Sequence, residues 1–170
     1  MAGRGVFFAL DELTAKKLTK LPPDEMVDFV GEEIEEDFFD NKPEYLAETD
    51  KAWDAIHRAL TDGYLHWENG DYPLNHVVLG GEVLYGGQEE ENDYVIVLKT
   101  PKQVKDIAKA LENYTKEQFE QGYAQIKMED YDYHLGFEDL QYSENWLERI
   151  KPFWQKAAQE NLYVIFTVAL

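Results

Sequence analysis

Asp54 and His57 stand three residues apart in the segment DKAWDAIHRAL, a spacing that on a helix brings a carboxylate and an imidazole to neighbouring positions. Such a pair could meet a substrate or metal together, and His57 could act as a general base, because the ordinary pKa of histidine lies near neutrality. His76, the Gly80-Gly81 pair and Glu82 follow in PLNHVVLGGE, and with Trp53 they complete one candidate pocket. As a metal centre it lacks a diagnostic spacing such as HExxH, so the metal-free reading is preferred. His57 also shares a helical stripe with Trp53, Ile56 and Leu60, which makes a core histidine the competing interpretation and the favoured one. No residue is assigned a catalytic role.

Other chemistries find less support. The glycine pairs Gly80-Gly81 and Gly86-Gly87 match neither GxGxxG nor GxxxxGK[ST], and no Lys or Arg lies between Arg58 and Lys99 to meet a phosphate, so they read as turn glycines. Ser143 is the single serine, is read as a helix cap, and no GxSxG motif surrounds it. The chain has no cysteine, which removes disulfides and thiolate nucleophiles and is compatible with a reducing compartment. No cofactor is called for. Trp67, Tyr72, Tyr85, Tyr131, Tyr133 and Tyr142 sit in expected connections, where aromatic rings could line a pocket or form an interface.

The formal net charge is -19 over 170 residues. Asp24 to Asp54 holds thirteen acids against Lys42 and Lys51, and Glu129 to Glu148 holds seven with no Lys or Arg. This surface repels phosphate backbones, so direct nucleic-acid binding is disfavoured. It suits a basic protein partner, through a candidate interface of Glu32, Glu33, Glu35, Glu36 and Asp37 together with Tyr131 and Tyr133. The plainer reading of the charge is a solvated face. No segment approaches the roughly 20 apolar residues of a membrane span, and a soluble cytoplasmic protein is expected.

A chain of this length can bury roughly 70% of its unfolded surface without staples, as one domain over residues 1–170. Gly5 to Leu10 predicts a strand leading, through an Asp11 cap, into a helix over DELTAKKL. After Pro22 and Pro23, Met26, Val30, Ile34 and Phe38 predict a second helix with a strongly anionic outer face. Residues 40–49 read as a surface connection, with Asp50 as N-cap of the helix carrying Trp53 and His57. YPLNHVVLGGE fits a short helix better than a strand, Gln88 to Asp93 an acidic loop, and Tyr94 to Leu98 a clear strand.

Thr100 with Gln103 and Thr115 with Gln118 predict two capping boxes. The last helix is expected to start at Ser143 and to kink or divide near Lys151 because of Pro152. Leu162 to Val168 is expected inside the sheet beside Gly5 to Leu10. The class is α+β, a small mixed sheet packed against several helices.

DKAWDAIHRALTDG, PLNHVVLGGE, the strand leading into LKTPKQVKDIAKAL, and the closing aromatic helix with its apolar strand together resemble the YfbM-like bacterial family, a domain of unknown function. The family's D-K-A-W-x-x-I-H signature corresponds to Asp50, Lys51, Ala52, Trp53, Ile56 and His57, and its Gly-Gly to Gly80 and Gly81. The resemblance implies a small α+β cytoplasmic domain from a bacterium and no particular activity. Two functional expectations follow: a non-enzymatic module that neutralises a basic toxin or regulates a basic partner, or a small-molecule-binding protein or enzyme with a pocket around His57 and Gly80-Gly81. Oligomeric state is not legible.

Overall fold

The closing apolar run becomes the middle of the sheet. Strand β5, Tyr163–Ala169, lies between β1, Gly5–Leu10, and β4, Tyr94–Lys99, with Phe166 opposite Phe7 on one side and Val97 on the other. The edges are β2, Leu46–Asp50, beside β1, and β3, Glu82–Tyr85, beside β4. The computed structural model describes residues 3–87 and 93–170, and among these the strand order is β2-β1-β5-β4-β3. The acidic loop expected from Gln88 falls on residues 88–92, outside the described residues.

The α+β class is as expected, but every pairing in the sheet is antiparallel, where a mixed sheet was expected. Unbroken apolar strands such as YVIVL suggest the doubly covered strands of a parallel sheet. Here helices cover both faces of an antiparallel sheet, and the strands are apolar for that reason alone. On one face, Phe7, Val97, Val164 and Phe166 pack against α4, Trp53–Leu60, α5, Pro101–Glu112, α6, Lys116–Tyr123, and α7, Phe137–Gln159. On the other, Phe8, Leu10, Ile96 and Ile165 pack against α1, Glu12–Thr19, and α2, Pro23–Phe29, which continues as a π-helical turn, Val30–Glu35, and α3, Glu36–Asn41.

The local signals hold in most places. The Asp11 side chain accepts from the Thr14 amide at 2.7 Å, and both capping boxes close. Met26, Val30, Ile34 and Phe38 are all buried. Their strict spacing of four residues drifts about 40° per step on an ideal α-helix of 3.6 residues per turn. The wider i→i+5 turn at Val30–Glu35 offsets that drift and keeps the stripe on the core. PLNHVVLGG forms the short 3-10 helix Leu74–His76 and a buried turn.

Local expectations fail in three segments. Residues 46–50 form an edge strand instead of part of a surface connection, since Ala47 and Thr49 alternate inward. Asp50 ends that strand with φ +48 and is not the N-cap of α4; its carboxylate takes the Tyr142 hydroxyl at 2.6 Å. Helix α7 begins at Phe137, so Ser143 lies inside it and does not cap it, and of the two outcomes expected at Pro152, division does not occur, because the buried stripe of Leu147, Ile150, Trp154 and Ala157 continues across the proline.

Candidate functional site

Helix α4 carries apolar residues at Trp53, Ile56 and Leu60, yet all eight of its residues are buried, its polar ones included. A helix buried all round must satisfy its polar groups inside the protein. Arg58 does this for Asp54 through an Nε–Oδ1 contact of 2.6 Å, and its two NH groups reach the carbonyls of Lys127, Glu129 and Asp130 at 3.0, 3.0 and 3.2 Å. Burial still pushes the Asp54 carboxyl above its ordinary pKa, against the guanidinium. Asp54 is therefore engaged with Arg58 and is not presented beside His57 to a substrate or metal.

His57 is 1% exposed. Its Nε2 lies 3.0 Å from the His66 carbonyl and 2.8 Å from Asn69 Oδ1. The Asn69 amide nitrogen is turned toward Thr61, Asp62 and Tyr64 oxygens, so its own oxygen is an acceptor and His57 Nε2 carries the proton. Nδ1 is left as a bare acceptor with no partner among the described residues. Burial drives the imidazole pKa down to about 4, and the nearby Lys99 adds to this. His57 is thus a neutral, sealed imidazole that pins the loop around residues 66–69.

Lys99 is the residue that links His57 to the rest of the expected pocket. It is fully buried, and its Nζ donates to the Val78 carbonyl at 2.5 Å and the Gly80 carbonyl at 2.6 Å. Burial holds the amine well below the usual lysine pKa. His76 is half-buried, bonded through Nδ1 to Asn75 Oδ1 at 2.7 Å, and lowered in pKa first by burial and then by Lys99. Gly80 and Gly81 complete the turn under Lys99: a Cβ on Gly80 would sit 2.4 Å from the Asn75 carbonyl, and Gly81, at φ +134, would bring one to 2.6 Å from the Leu98 carbonyl.

Lys99 thus caps the Gly80-Gly81 turn, with the His76 ring against Gly80, and its charge acts on both imidazoles, while Glu82 is exposed at the start of β3. Lys99 was legible in principle: in YVIVLK it holds the inward register of Val95 and Val97. Trp53 stands apart, its Nε1 donating to the Gly3 carbonyl at 2.8 Å and its ring lining an apolar cavity of about 190 Å³ with Trp67, Leu79, Val95 and Val168. Among the described residues no group of three His, Asp or Glu is arranged to hold a metal ion.

The residues expected to form one protein interface divide between the two faces of the sheet. Glu32, Glu33, Glu35 and Glu36 are exposed on the α2–α3 helix, and Asp37, half-exposed, is tied to Asn41 at 2.8 Å and Lys42 at 3.0 Å. Tyr131 and Tyr133 lie in the loop across the sheet, both half-buried. Tyr131 donates to Asp139 at 2.5 Å, and the Arg58 guanidinium lies over its ring at 5.3 Å. Burial, with Asp139, raises the Tyr131 hydroxyl pKa far above its ordinary value.

With this geometry in view, the family model described as a domain of unknown function, DUF1877, matches residues 1–167. The chain belongs to this family. It is also similar to the crystal structure of YfbM, a protein of unknown function from Escherichia coli, at 18% identity over 98% of this chain and 99% of that one, with a TM-score of 0.66. At that identity the likeness establishes the DUF1877 fold alone. No curated protein matches the chain. The YfbM-like resemblance carried by Trp53, His57 and Gly80-Gly81 is thereby borne out, and in this chain the Gly80-Gly81 turn packs on Lys99 while Trp53 is held apart by the Gly3 carbonyl. No helix among the described residues is long and apolar enough to cross a membrane.

Proposed function

We propose that this DUF1877 protein is a non-enzymatic binding module that engages a basic protein segment through the carboxylate face of residues 23–41, in a neutralising or regulatory role. One observation carries the reading. Glu25, Asp28, Glu32, Glu35, Glu36 and Asp40 are exposed at i,i+3 and i,i+4 intervals, and no Lys or Arg occurs between Pro23 and Asn41. Like charges at that spacing cost about 0.2–0.5 kcal/mol per pair in an isolated helix. A stripe retained against that cost supports an outward role, because complementary charge steers and selects partners. The sealed state of His57 weighs against a role for it in ligand chemistry.

Binding of an acetylated, amidated lysine-rich peptide, titrated against the protein at low and at high salt, tests the reading. Saturable binding that weakens with salt and is lost in Glu32→Lys/Glu36→Lys is expected. Absence of saturable binding at low salt, or binding indifferent to those substitutions, would overturn it.

A further inference from the structure

The second edge feature of the fold is a cleft of about 520 Å³ between β2 and α7. Its strand wall is Leu46, Ala47 and Glu48, three residues in succession. Successive side chains of a strand point to opposite faces, so a cleft that meets three in a row follows the edge of the strand. β2 is the last strand of the sheet on that side, and the backbones of Ala47 and Glu48 make no hydrogen bond beyond the pairing with β1 among the described residues. Leu46–Glu48 present about 10 Å of strand edge to the cleft, at about 3.4 Å per residue, bounded by the Leu46 amide, which donates to the Pro43 carbonyl, and the Thr49 carbonyl, which accepts from Ala52.

The helix wall is a single stripe of α7, made of Trp146, Arg149, Phe153 and Lys156 at helical intervals. Trp146 and Phe153 supply apolar contact. The Arg149 guanidinium lies 4.7 Å from the Trp146 ring centroid, and Lys156 Nζ lies 4.7 Å from that of Tyr45. Neither cation has a carboxylate partner among the described residues, although acids outnumber bases in the chain by 35 to 16. The two faces of β2 differ in charge. Ala47 faces the α7 side and Leu46 the opposite core, which places Glu48 on the side away from the two cations.

We propose that this cleft receives an extended peptide, which adds as a sixth strand to the edge of β2 and directs an acidic side chain at Arg149 and Lys156. Main-chain bonds to the edge would supply affinity, and the alternate side chains facing α7 would supply selectivity. A carboxylate meets the fork of Arg149 with charge-assisted bonds. Glu44 and Glu48 also line the cleft, so the acidic side chain is accommodated only on the α7 side beside the two cations; the surplus negative charge farther off opposes it only weakly, because exposed charges are screened beyond about 8 Å at physiological salt. The surface is separate from the carboxylate helix and independent of its partner.

The probes are three capped heptapeptides: alternating valine and glutamate, alternating valine and lysine, and the glutamate peptide N-methylated at alternate amides. Each is titrated into the isotopically labelled full chain and followed by amide and indole NMR shifts. The glutamate peptide is expected to give saturable shifts at the Ala47 and Glu48 amides and at the Trp146 indole, to bind at least about tenfold more weakly to Arg149→Glu, and to be unaffected by Glu33→Lys. Absence of saturable shifts at those sites would overturn the proposal, as would equal shifts at those same sites from the lysine or the N-methylated peptide. Arg149 is exposed, so its replacement leaves the core intact.

Discussion

Asp54 and Arg58 pair one helical turn apart at 2.6 Å, with side chains 4% and 1% exposed, in a helix with no solvent-facing side. The pair joins α4 to the carbonyls of Lys127, Glu129 and Asp130, and so holds the tyrosine-rich loop on the sheet. Removing one member leaves an uncompensated charge where water cannot reach it. Arg58→Met is expected to destabilise the fold by about 3–5 kcal/mol. The double variant Asp54→Leu/Arg58→Met should lose less, because the stranded carboxylate goes with its partner. Urea unfolding of the two variants provides the measurement, and a double variant weaker than the single would refute the account.

His57 sets a pH dependence whose sign follows from its burial. The folded state keeps the imidazole neutral down to about pH 4, while the unfolded chain takes up the proton near the ordinary 6.5. Stability from this group is therefore complete above pH 6.5, falls as the pH drops toward 4, and is level below that. The loss amounts to about 3 kcal/mol at 1.36 kcal/mol per pKa unit. The difference in unfolding free energy between wild type and His57→Gln, followed by urea titration across this range, should show that slope; a flat difference would count against a buried neutral imidazole.

Lys99 acts in the same direction in a higher window. Its amine is held well below 10.5, so below that pH the unfolded chain binds a proton that the folded state resists. Wild type should gain stability relative to Lys99→Met as the pH rises toward 10.5, with no further gain above it. Thermal melts of both proteins at matched pH decide this, and a constant offset between them would show that the buried group is already an ammonium.

Two helical glycines should respond oppositely to the same substitution. Alanine is favoured over glycine in a helix by about 1 kcal/mol. Gly31 has nothing within 4 Å of an added Cβ, so Gly31→Ala should be neutral or stabilising. At Gly122 the Cβ would stand 2.1 Å from the Ala59 carbonyl, where α6 crosses α4, so Gly122→Ala should lower the melting temperature. Equal effects at the two sites would mean that the helices separate at little cost.

Ser143 buries a hydroxyl inside α7 with no hydrogen-bond partner among the described residues. Ser143→Ala removes a polar group whose desolvation costs about 1–3 kcal/mol, and it should raise the unfolding midpoint. A drop in stability would show that the hydroxyl is bonded in solution.

Residues whose partners lie within one helical turn were legible without the fold. Asp11 with Thr14, Thr100 with Gln103 and Thr115 with Gln118 close caps as read, and the Met26–Phe38 stripe is buried as read. Failures came where a distant neighbour outweighed local preference. Asp50 has a good capping side chain, but Tyr142 and the pairing of Gly5 place it at a strand end. Ser143 can cap, but the aromatic and acidic residues before it continue the helix back to Phe137.

The candidate site divides in the same way. Composition and spacing determined the α+β class, the helical stripe of Trp53 and His57, the turn role of Gly80-Gly81 and the anionic helix, because each depends on residue type and on periods of two or 3.6. Only the tertiary structure decided that His57 is sealed, that Arg58 neutralises Asp54, that Lys99 joins the two imidazoles to the glycine turn, and that the acidic helix and Tyr131 lie on opposite faces of the sheet. The reason is physical. Solvation and partnership of a polar group are set by whatever packs over it, and in this chain those covers come from segments tens of residues away.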